Sequence, residues 1–388
     1  MAQRELERFL HFGWNAARYA LGPLAAMLIP WVVMQRASRS LWGDTVAIMI
    51  TVQLASHILR WGSREMLPRL FAEQPARTSA IWMTNLISRT WLIVPVAIAL
   101  FFTHAATTLA VAWLLLLFLN NSFETLVVWR KRFGISFAID AAGLLVTLAG
   151  IGYTIGLTLE STVQWVVIGQ ATRTVLLSIT FARDLAAEPT SDVRAHLARA
   201  GPFLFIALSG LLGSRADLYV MGLIADRAML AEYQVVAGYF VQLQALAGII
   251  AVPFTRELYR MGPAGVHKAT GRLAVLGLLI LLPIGLIGHE LFARFYGFDL
   301  SFWTIVAGCL VGWPVYAYTP MVQTVYKHGR ELTMVTAGFV TAAISSGLTW
   351  LLVPRYGITG GLAAAAISQF LMLVAVRSVF HALASDSR

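Results

Sequence analysis

Charged residues and cysteine are both scarce in this chain of 388 residues. Only 12% of the residues are charged, whereas soluble domains carry about 25%. With 58% hydrophobic residues and a mean hydropathy of +0.73, this scarcity excludes an ordinary soluble protein and predicts an all-α polytopic membrane protein. The single cysteine, Cys309, excludes an intrachain disulfide and argues against a metal cluster.

Signatures of catalysis are also missing from the sequence. It contains no Walker loop, no GxSxG elbow, no metal-spaced cluster of His and Cys, and no aspartate-rich DxD loop. The longest connections between apolar segments, 61–79, 183–201 and 255–270, are too short to hold an extramembrane catalytic domain. We therefore expect a protein that is not an enzyme, that needs no metal or cofactor, and that does not itself use ATP.

Acidic residues are in short supply, with 19 Asp and Glu against 29 Lys and Arg. In a soluble protein the net charge of +10 would suggest a nucleic-acid partner. Here we expect no nucleic acid, because the basic residues concentrate in short connections between apolar segments.

Long apolar segments recur along the whole chain. A membrane-spanning helix needs about 20 mostly apolar residues, and twelve segments qualify. They cover residues 12–34, 42–60, 80–102, 107–128, 134–157, 162–182, 202–223, 230–254, 271–292, 299–320, 331–353 and 358–380.

The basic residues divide unevenly between the two ends of these spans. If the N-terminus and every second connection are cytoplasmic, that side carries 20 Lys and Arg and the other side carries 5. Because basic loops stay in the cytoplasm during insertion, this split predicts twelve helices with both termini inside. No small-residue cleavage site follows a short apolar core, so we expect no cleaved signal peptide.

A short internal repeat divides the chain into two halves. Gly22-Pro23 opens the first span and Gly201-Pro202 opens the seventh, while Ser63-Arg64-Glu65 and Thr255-Arg256-Glu257 follow the second span of each half. We therefore expect parallel six-helix repeats, a plan in which transporters bind substrate between the halves; chance similarity is the alternative. The expected domains are an N-terminal six-helix bundle at 1–183, a cytoplasmic linker at 184–198 and a C-terminal six-helix bundle at 199–388.

Four arginines interrupt segments that are otherwise apolar enough to cross a bilayer. They are Arg18, Arg89, Arg173 and Arg215. An arginine at the bilayer centre costs about 2.5–3.5 kcal/mol on insertion scales, so it persists where it meets a water-filled cavity or a partner. A guanidinium also binds phosphate through a two-pronged fork that an ammonium lacks. The arginines therefore predict a cationic cavity for an anionic cargo; the alternative is that each one caps carbonyls or snorkels to an interface.

Other polar residues accompany these arginines inside the spans. Because residues three or four apart share a helix face, we expect three amides to line the same cavity. They are Asn15 beside Arg18, Asn85 beside Arg89 and Gln170 beside Arg173. The main acids within the spans, Glu124, Asp140 and Asp217, are candidates to carry a coupling proton or sodium. Their alternative role is to neutralise an arginine.

The seventh and eighth spans carry a recognisable pattern. It reads Gly213-Ser214-Arg215-Ala216-Asp217-Leu218-Tyr219-Val220-Met221-Gly222, then Glu232-Tyr233, then Pro253 ahead of Arg256-Glu257. This pattern resembles the same region of the polysaccharide-lipid flippases, which belong to the multidrug/oligosaccharidyl-lipid/polysaccharide exporter superfamily. The resemblance extends over essentially the whole chain through Gly22-Pro23, Gly329-Arg330, Tyr356-Gly357-Ile358 and Gly360-Gly361.

The resemblance implies a V of two six-helix bundles in the bacterial inner membrane. Such a protein would translocate an undecaprenyl-pyrophosphate-linked oligosaccharide by alternating access, for export of O-antigen, capsule or exopolysaccharide. Its implied partners are this lipid-linked substrate, membrane lipid, a polysaccharide polymerase and glycosyltransferases. The chain has no room for two extra C-terminal helices, which argues against a peptidoglycan-precursor flippase.

Two other functions are compatible with the same residues. An ion-coupled drug/cation antiporter of the same superfold would have a cavity dominated by acids, whereas the spans of this chain hold more arginines than acids. A non-transporting membrane component of a glycan assembly complex would have internally paired arginines and no open cavity. The surroundings of the buried arginines therefore distinguish the three functions.

Overall fold

The computed structural model describes residues 2–101, 107–189, 193–251, 258 and 260–386. These residues form helices and no strands. The helices are α1 Ala2–Arg36, α2 Arg39–Arg60, α3 Ser63–Glu73, α4 Thr78–Phe101, α5 Thr107–Trp129, α6 Phe133–Tyr153, α7 Leu159–Thr180, α8 Ala182–Leu185, α9 Val193–Ile224, α10 Arg227–Ala251, α11 Pro263–Leu291, α12 Phe302–Lys327 and α13 Glu331–Asp386. Pro253 and Thr255-Arg256-Glu257, which contribute to the resemblance and the repeat, lie outside the described residues.

The last helix, α13, contains a break that separates two spans. Gly357 has φ 54° and ψ −134° inside the element, shortly after Pro354. Only glycine adopts such a backbone readily, and proline removes a helical hydrogen bond. The expected spans 331–353 and 358–380 therefore lie on either side of this break. Each of the other expected spans also has a helix at its place, so the expected all-α polytopic fold is confirmed.

Eight of the described helices are long and apolar enough to cross a membrane. The segment that contains α11 is the most apolar of them, with a mean hydropathy of 2.1. Helix α13 is one of the eight, although its break makes it two spans. The architecture is that of a multi-pass membrane protein.

The start of α7 is set by a hydrogen-bonded cap. Thr158 accepts a hydrogen bond from the Ser161 N–H over 3.2 Å, and the Ser161 hydroxyl accepts one from the Thr158 N–H over 2.9 Å. This reciprocal box satisfies N–H groups that have no partner within the helix. It fixes where α7 begins, and with it the register of Gln170 and Arg173 further along the helix.

The chain divides into two compact units, residues 1–208 and 209–388. The division falls inside α9, whereas the linker was expected at 184–198. Helix α9 begins at Val193, so the end of that expected linker is already helical.

The first turns of α9 belong to the first unit because they pack against the turn between α2 and α3. Trp61 Nε1 donates to the Leu197 carbonyl over 3.0 Å. Gly62 lies so close to Phe203 that a Cβ added to the glycine would be 2.4 Å from the Phe203 Cβ. These contacts place the beginning of the seventh expected span, 202–223, in the first unit.

Aromatic side chains fill the core of the first unit. Trp82, Phe123 and Phe181 are buried and pack in succession, with ring centroids 5.2 Å and 5.8 Å apart. Trp82 Nε1 donates to the Ser122 carbonyl over 2.8 Å, so its polar edge is satisfied. The packing joins α4, α5 and the end of α7, and it holds the part of α5 that carries Glu124.

Candidate functional site

Asp140 on α6 bridges two of the four arginines that interrupt the apolar segments. Its Oδ1 accepts a hydrogen bond from Arg173 Nε on α7 over 2.8 Å, and its Oδ2 accepts one from Arg18 Nε on α1 over 3.2 Å. The exposed fraction is 15% for the Asp140 side chain, 24% for Arg173 and 9% for Arg18. Charges so far removed from water need partners, and each of these three has at least one.

Arg18 also forms a two-pronged ion pair with Glu124 on α5. Its Nη1 donates to Glu124 Oε1 over 3.0 Å, and its Nη2 bonds to Oε2. This fork is the strongest geometry available between a guanidinium and a carboxylate. Arg18 therefore joins α1 to both α5 and α6, and both acids are ion-paired to arginine in this structure.

Gln170 and Arg173 share a face of α7, as their spacing predicts. Gln170 Oε1 accepts hydrogen bonds from Arg173 Nη1 over 3.0 Å and from Asn120 Nδ2 over 2.9 Å. The stem of Arg173 lies against Gly143 of α6, where an added Cβ would be 2.5 Å from the Arg173 Cγ. A glycine at this position thus lets the arginine reach Asp140. Asn15 is half buried on α1, outside the lining of the cavity described next.

A cavity of about 240 Å³ opens beside these ion pairs. Helices α1, α6 and α7 line it, and the polar part of its wall includes Arg18, Asp140, Gln170 and Arg173. We call it the charged cavity. The structure thus brings four residues that the sequence singles out to one wall of the first unit.

A neighbouring cavity of about 220 Å³ has residues from the end of α2 and the start of α3 in its wall. Arg60 and Arg64 line it together with Glu124, and Arg60 Nη2 donates to Asn121 Oδ1 over 2.6 Å. The chain reverses between α2 and α3 through Trp61 and Gly62, both with positive φ, and this turn directs Arg60 and Arg64 towards α5. We call it the turn cavity.

Arginine exceeds carboxylate across these two cavities, which both include Tyr19 in their walls. The charged side chains that line them are Arg18, Arg60, Arg64, Arg173, Glu124 and Asp140. Their formal charges leave a surplus of two positive charges. Such a surplus attracts anions.

Arg89 does not face either cavity, which corrects the expectation that it lines one. Its side chain is 1% exposed, and it donates to the Asn85 carbonyl, the Leu59 carbonyl and the Ser122 hydroxyl over 3.1, 3.3 and 2.9 Å. Its guanidinium also lies 5.0 Å from the centroid of the Phe118 ring. These partners belong to α2, α4 and α5, so Arg89 holds the three helices together.

Asn85 is likewise used inside the first unit and is absent from the walls of both cavities. It is fully buried, and its Nδ2 lies 3.0 Å from the His196 Nε2 at the start of α9. The shared helix face of Asn85 and Arg89 therefore forms a packing contact in this structure.

Arg215 and Asp217 lie in the second unit, whereas Asp140 lies in the first. Asp217 is buried and accepts a hydrogen bond from the Tyr233 hydroxyl on α10. Arg215 is half buried, and its charge acts on the Asp217 carboxylate. Asp217 is thus joined to α10 through Tyr233.

No protein-family model matches this chain, and no curated protein matches it. Solved structures do: the lipid II flippase MurJ in an inward closed conformation gives a TM-score of 0.71 at 12% identity, over 98% of this chain and 90% of that one. An inward-facing multidrug resistance MATE family transporter of the MOP superfamily gives 0.65 at 11% identity, over 96% and 100%. The MATE transporter VcmN of Vibrio cholerae gives 0.59 at 13% identity, over 97% and 96%.

At these identities the likeness shows the fold. The chain folds like MurJ and the MATE transporters.

Proposed function

We propose that this protein is a flippase that moves an undecaprenyl-pyrophosphate-linked oligosaccharide from the inner to the outer leaflet of the bacterial inner membrane. The observation that carries the proposal is the surplus of arginine in the walls of the charged cavity and the turn cavity. Guanidinium groups bind phosphate oxygens through paired, charge-assisted hydrogen bonds. A pyrophosphate linked to a lipid would present such oxygens to these arginines while it crosses the membrane.

Headgroup binding in this proposal is an exchange of anions. Arg18 and Arg173 are occupied by Glu124 and Asp140 in the present structure. An entering pyrophosphate offers oxygens to the same guanidinium groups and displaces a carboxylate. Arg64, in the wall of the turn cavity, adds positive charge that attracts the headgroup.

The same exchange gives the acids a role in coupling. A carboxylate that loses its arginine partner in a buried site is costly unless it takes up a proton or a metal cation. Asp140 and Glu124 would therefore bind an ion when the headgroup arrives and release it when the headgroup leaves. Arg215 and Asp217 of the second unit are candidates for contacts made later in the cycle.

The surroundings of the protein follow from the same proposal. The excess of basic residues in every second connection supports cytoplasmic termini. Glycosyltransferases must supply the lipid-linked oligosaccharide, and a polysaccharide polymerase would consume it after translocation.

A drug/cation antiporter is the second candidate, and two observations favour it. Solved MATE transporters share the fold, and Asp140 and Glu124 line the two cavities. An organic cation would then pair with these carboxylates. The surplus of arginine opposes this function, because it repels a cation from the same walls.

Glycan export by a deletion strain that expresses the wild-type protein or a variant distinguishes the two functions. We expect that Arg18→Ala and Arg173→Ala each reduce export at least about tenfold relative to the wild type, which is the effect of losing one strong phosphate contact. Arg294→Ala is the matched control, because Arg294 is 77% exposed and pairs with the exposed Glu290. Glycan export by the Arg294→Ala variant should remain normal.

Protein levels in the membrane fraction must be equal for all variants before export is compared. Normal glycan export by both Arg18→Ala and Arg173→Ala would contradict the flippase. Normal export combined with new sensitivity to a cationic dye such as ethidium would favour the antiporter.

A further inference from the structure

The second unit contains a cavity of about 370 Å³ whose described wall holds no charged side chain. Helices α9, α10, α12 and α13 line it, and it shares no residue with the charged cavity or the turn cavity. Its volume lies within the range of about 300–1,000 Å³ that is usual for small-molecule sites. We call it the neutral cavity.

Tyr318 and Gln369 form a hydrogen-bonded chain in this wall, and Gln244 makes a separate hydrogen bond. The Tyr318 hydroxyl donates to Gln369 Oε1 over 3.0 Å, and Gln369 Nε2 donates to the Gly213 carbonyl over 3.0 Å. Gln244 Nε2 donates to the Val311 carbonyl over 2.9 Å. One N–H of each amide and the hydroxyl hydrogen of the tyrosine are therefore already used inside the protein.

Three other hydroxyl groups of the wall, those of Ser214, Thr319 and Thr341, are used in the same way. Ser214 donates to the Leu211 carbonyl over 3.0 Å, and Thr319 donates to the Val315 carbonyl over 2.6 Å. Thr341 donates to the carbonyl of Ala337 over 2.9 Å. Each of these hydroxyl hydrogens points at its own helix, so the oxygens keep their lone pairs for a ligand.

The neutral cavity thus offers many acceptors and few donors. Its remaining acceptors are the hydroxyl oxygens and the amide oxygens of Gln244 and Gln369, whereas its remaining donors are one N–H on each glutamine. A phosphate would find few donors here and no cation. A cation would find no carboxylate in the described wall, and its desolvation would be uncompensated. A neutral ligand rich in hydroxyl groups suits the wall, because each of its hydroxyls can donate to a waiting oxygen.

We propose that the neutral cavity binds a saccharide residue. The hydroxyl groups of the sugar donate to the oxygens of Gln244, Ser214, Thr319 and Thr341, and its apolar ring face contacts the ring of Tyr318. If the protein is the flippase proposed above, this residue belongs to the glycan of the cargo. The binding itself needs neither the lipid nor the pyrophosphate.

A glycine in the wall provides a variant that fills the cavity without disturbing the fold. A Cβ added to Gly248 on α10 would meet no heavy atom of the described residues within 4 Å. Gly248→Leu therefore places a side chain in open space, and leucine is a better helix former than glycine. Gly347→Leu is the matched control, because Gly347 lies on α13 outside the cavity and a Cβ there also meets open space.

Binding of free sugars to the purified full-length protein tests the proposal. The probes are glucose, galactose, mannose, rhamnose and N-acetylglucosamine, each at up to about 10 mM, where even a millimolar site is filled. Saturation-transfer NMR should detect at least one of them on the wild type. Gly248→Leu should abolish that signal, Gly347→Leu should retain it, and Thr319→Val should weaken the affinity about fivefold through loss of one acceptor oxygen.

Three results would overturn the proposal: no sugar binds the wild type, the signal survives Gly248→Leu, or tetraphenylphosphonium binds the cavity while the sugars do not. If the proposed flippase function is wrong, the results would differ from these three. In that case sugar binding would still depend on Gly248, while glycan export would not depend on Arg18 and Arg173.

Discussion

Arg173 Nε lies 2.8 Å from Asp140 Oδ1, and this hydrogen bond joins α7 to α6 in the wall of the charged cavity. The other oxygen of the same carboxylate accepts from Arg18. One acid therefore competes with any incoming anion for two guanidinium groups. The consequences of that competition can be measured.

Asp140→Asn should strengthen headgroup binding and slow transport. The asparagine keeps the size of the side chain but removes the negative charge that occupies Arg18 and Arg173, so an anion meets less competition. We expect affinity for undecaprenyl pyrophosphate to rise about threefold to tenfold, in keeping with a coupling of roughly 1 kcal/mol for a partly exposed ion pair. Binding in nanodiscs and flipping in proteoliposomes measure the two effects. Weaker binding by Asp140→Asn would refute the exchange of anions.

Arg89→Leu should act through folding rather than through substrate contact. The substitution removes hydrogen bonds to Asn85, Leu59 and Ser122 in a site that is 1% exposed. A loss of about 2–4 kcal/mol is expected, which corresponds to a thermal midpoint lowered by roughly 5–10 °C. Thermal unfolding in detergent is the measurement. If the thermal midpoint is unchanged but transport is lost, Arg89 contacts the substrate instead.

Gly62→Ala should destabilise the contact between α9 and the turn that follows α2. Gly62 has φ 68°, and an added Cβ would lie 2.4 Å from the Phe203 Cβ. Gly329 is the matched control, since it has φ 69° and open space around its Cβ position. Gly329→Ala should cost only the strain of a left-handed residue, about 1–2 kcal/mol. Gly62→Ala should cost at least about 1–3 kcal/mol more, because the clash adds to that strain.

Equal losses in these two alanine variants would show that the close approach of Gly62 to Phe203 does not constrain the first unit. Thermal unfolding of both variants side by side provides the comparison.

Asp217 and Tyr233 should be energetically coupled. The buried tyrosine hydroxyl donates to the Asp217 carboxylate, a bond to a charged acceptor. Such bonds contribute about 1.5–3 kcal/mol, so Asp217→Asn and Tyr233→Phe should not be additive in stability. A double-mutant cycle measured by thermal unfolding gives the coupling. Additive effects would mean that the two side chains act independently.

Much of the fold can be predicted from the sequence because the determining signals are local. Runs of apolar residues place the helices, and Pro354 with Gly357 marks the break in α13. The common face of Gln170 and Arg173 also follows from helical spacing, and both residues line the charged cavity.

The roles of individual arginines depend on contacts that spacing does not reveal. Arg89 is buried because Leu59 and Ser122, on two other helices, meet its guanidinium. In the sequence, Arg60 ends the second expected span and Arg64 follows it, where basic residues are typical of a cytoplasmic connection. The left-handed turn at Trp61 and Gly62 instead brings them beside Glu124. The glycine at position 62, directly before Ser63, is the sequence signal that could have indicated this turn.

The central claim is that arginines of the first unit bind the pyrophosphate of a lipid-linked glycan. Its most direct test is equilibrium binding of undecaprenyl pyrophosphate to wild type, Arg173→Lys and Arg173→Gln in nanodiscs of neutral lipid. We predict that Arg173→Lys weakens binding several-fold because it keeps the charge but loses the fork, and that Arg173→Gln weakens it at least about tenfold. Equal affinity in all three proteins would contradict the account.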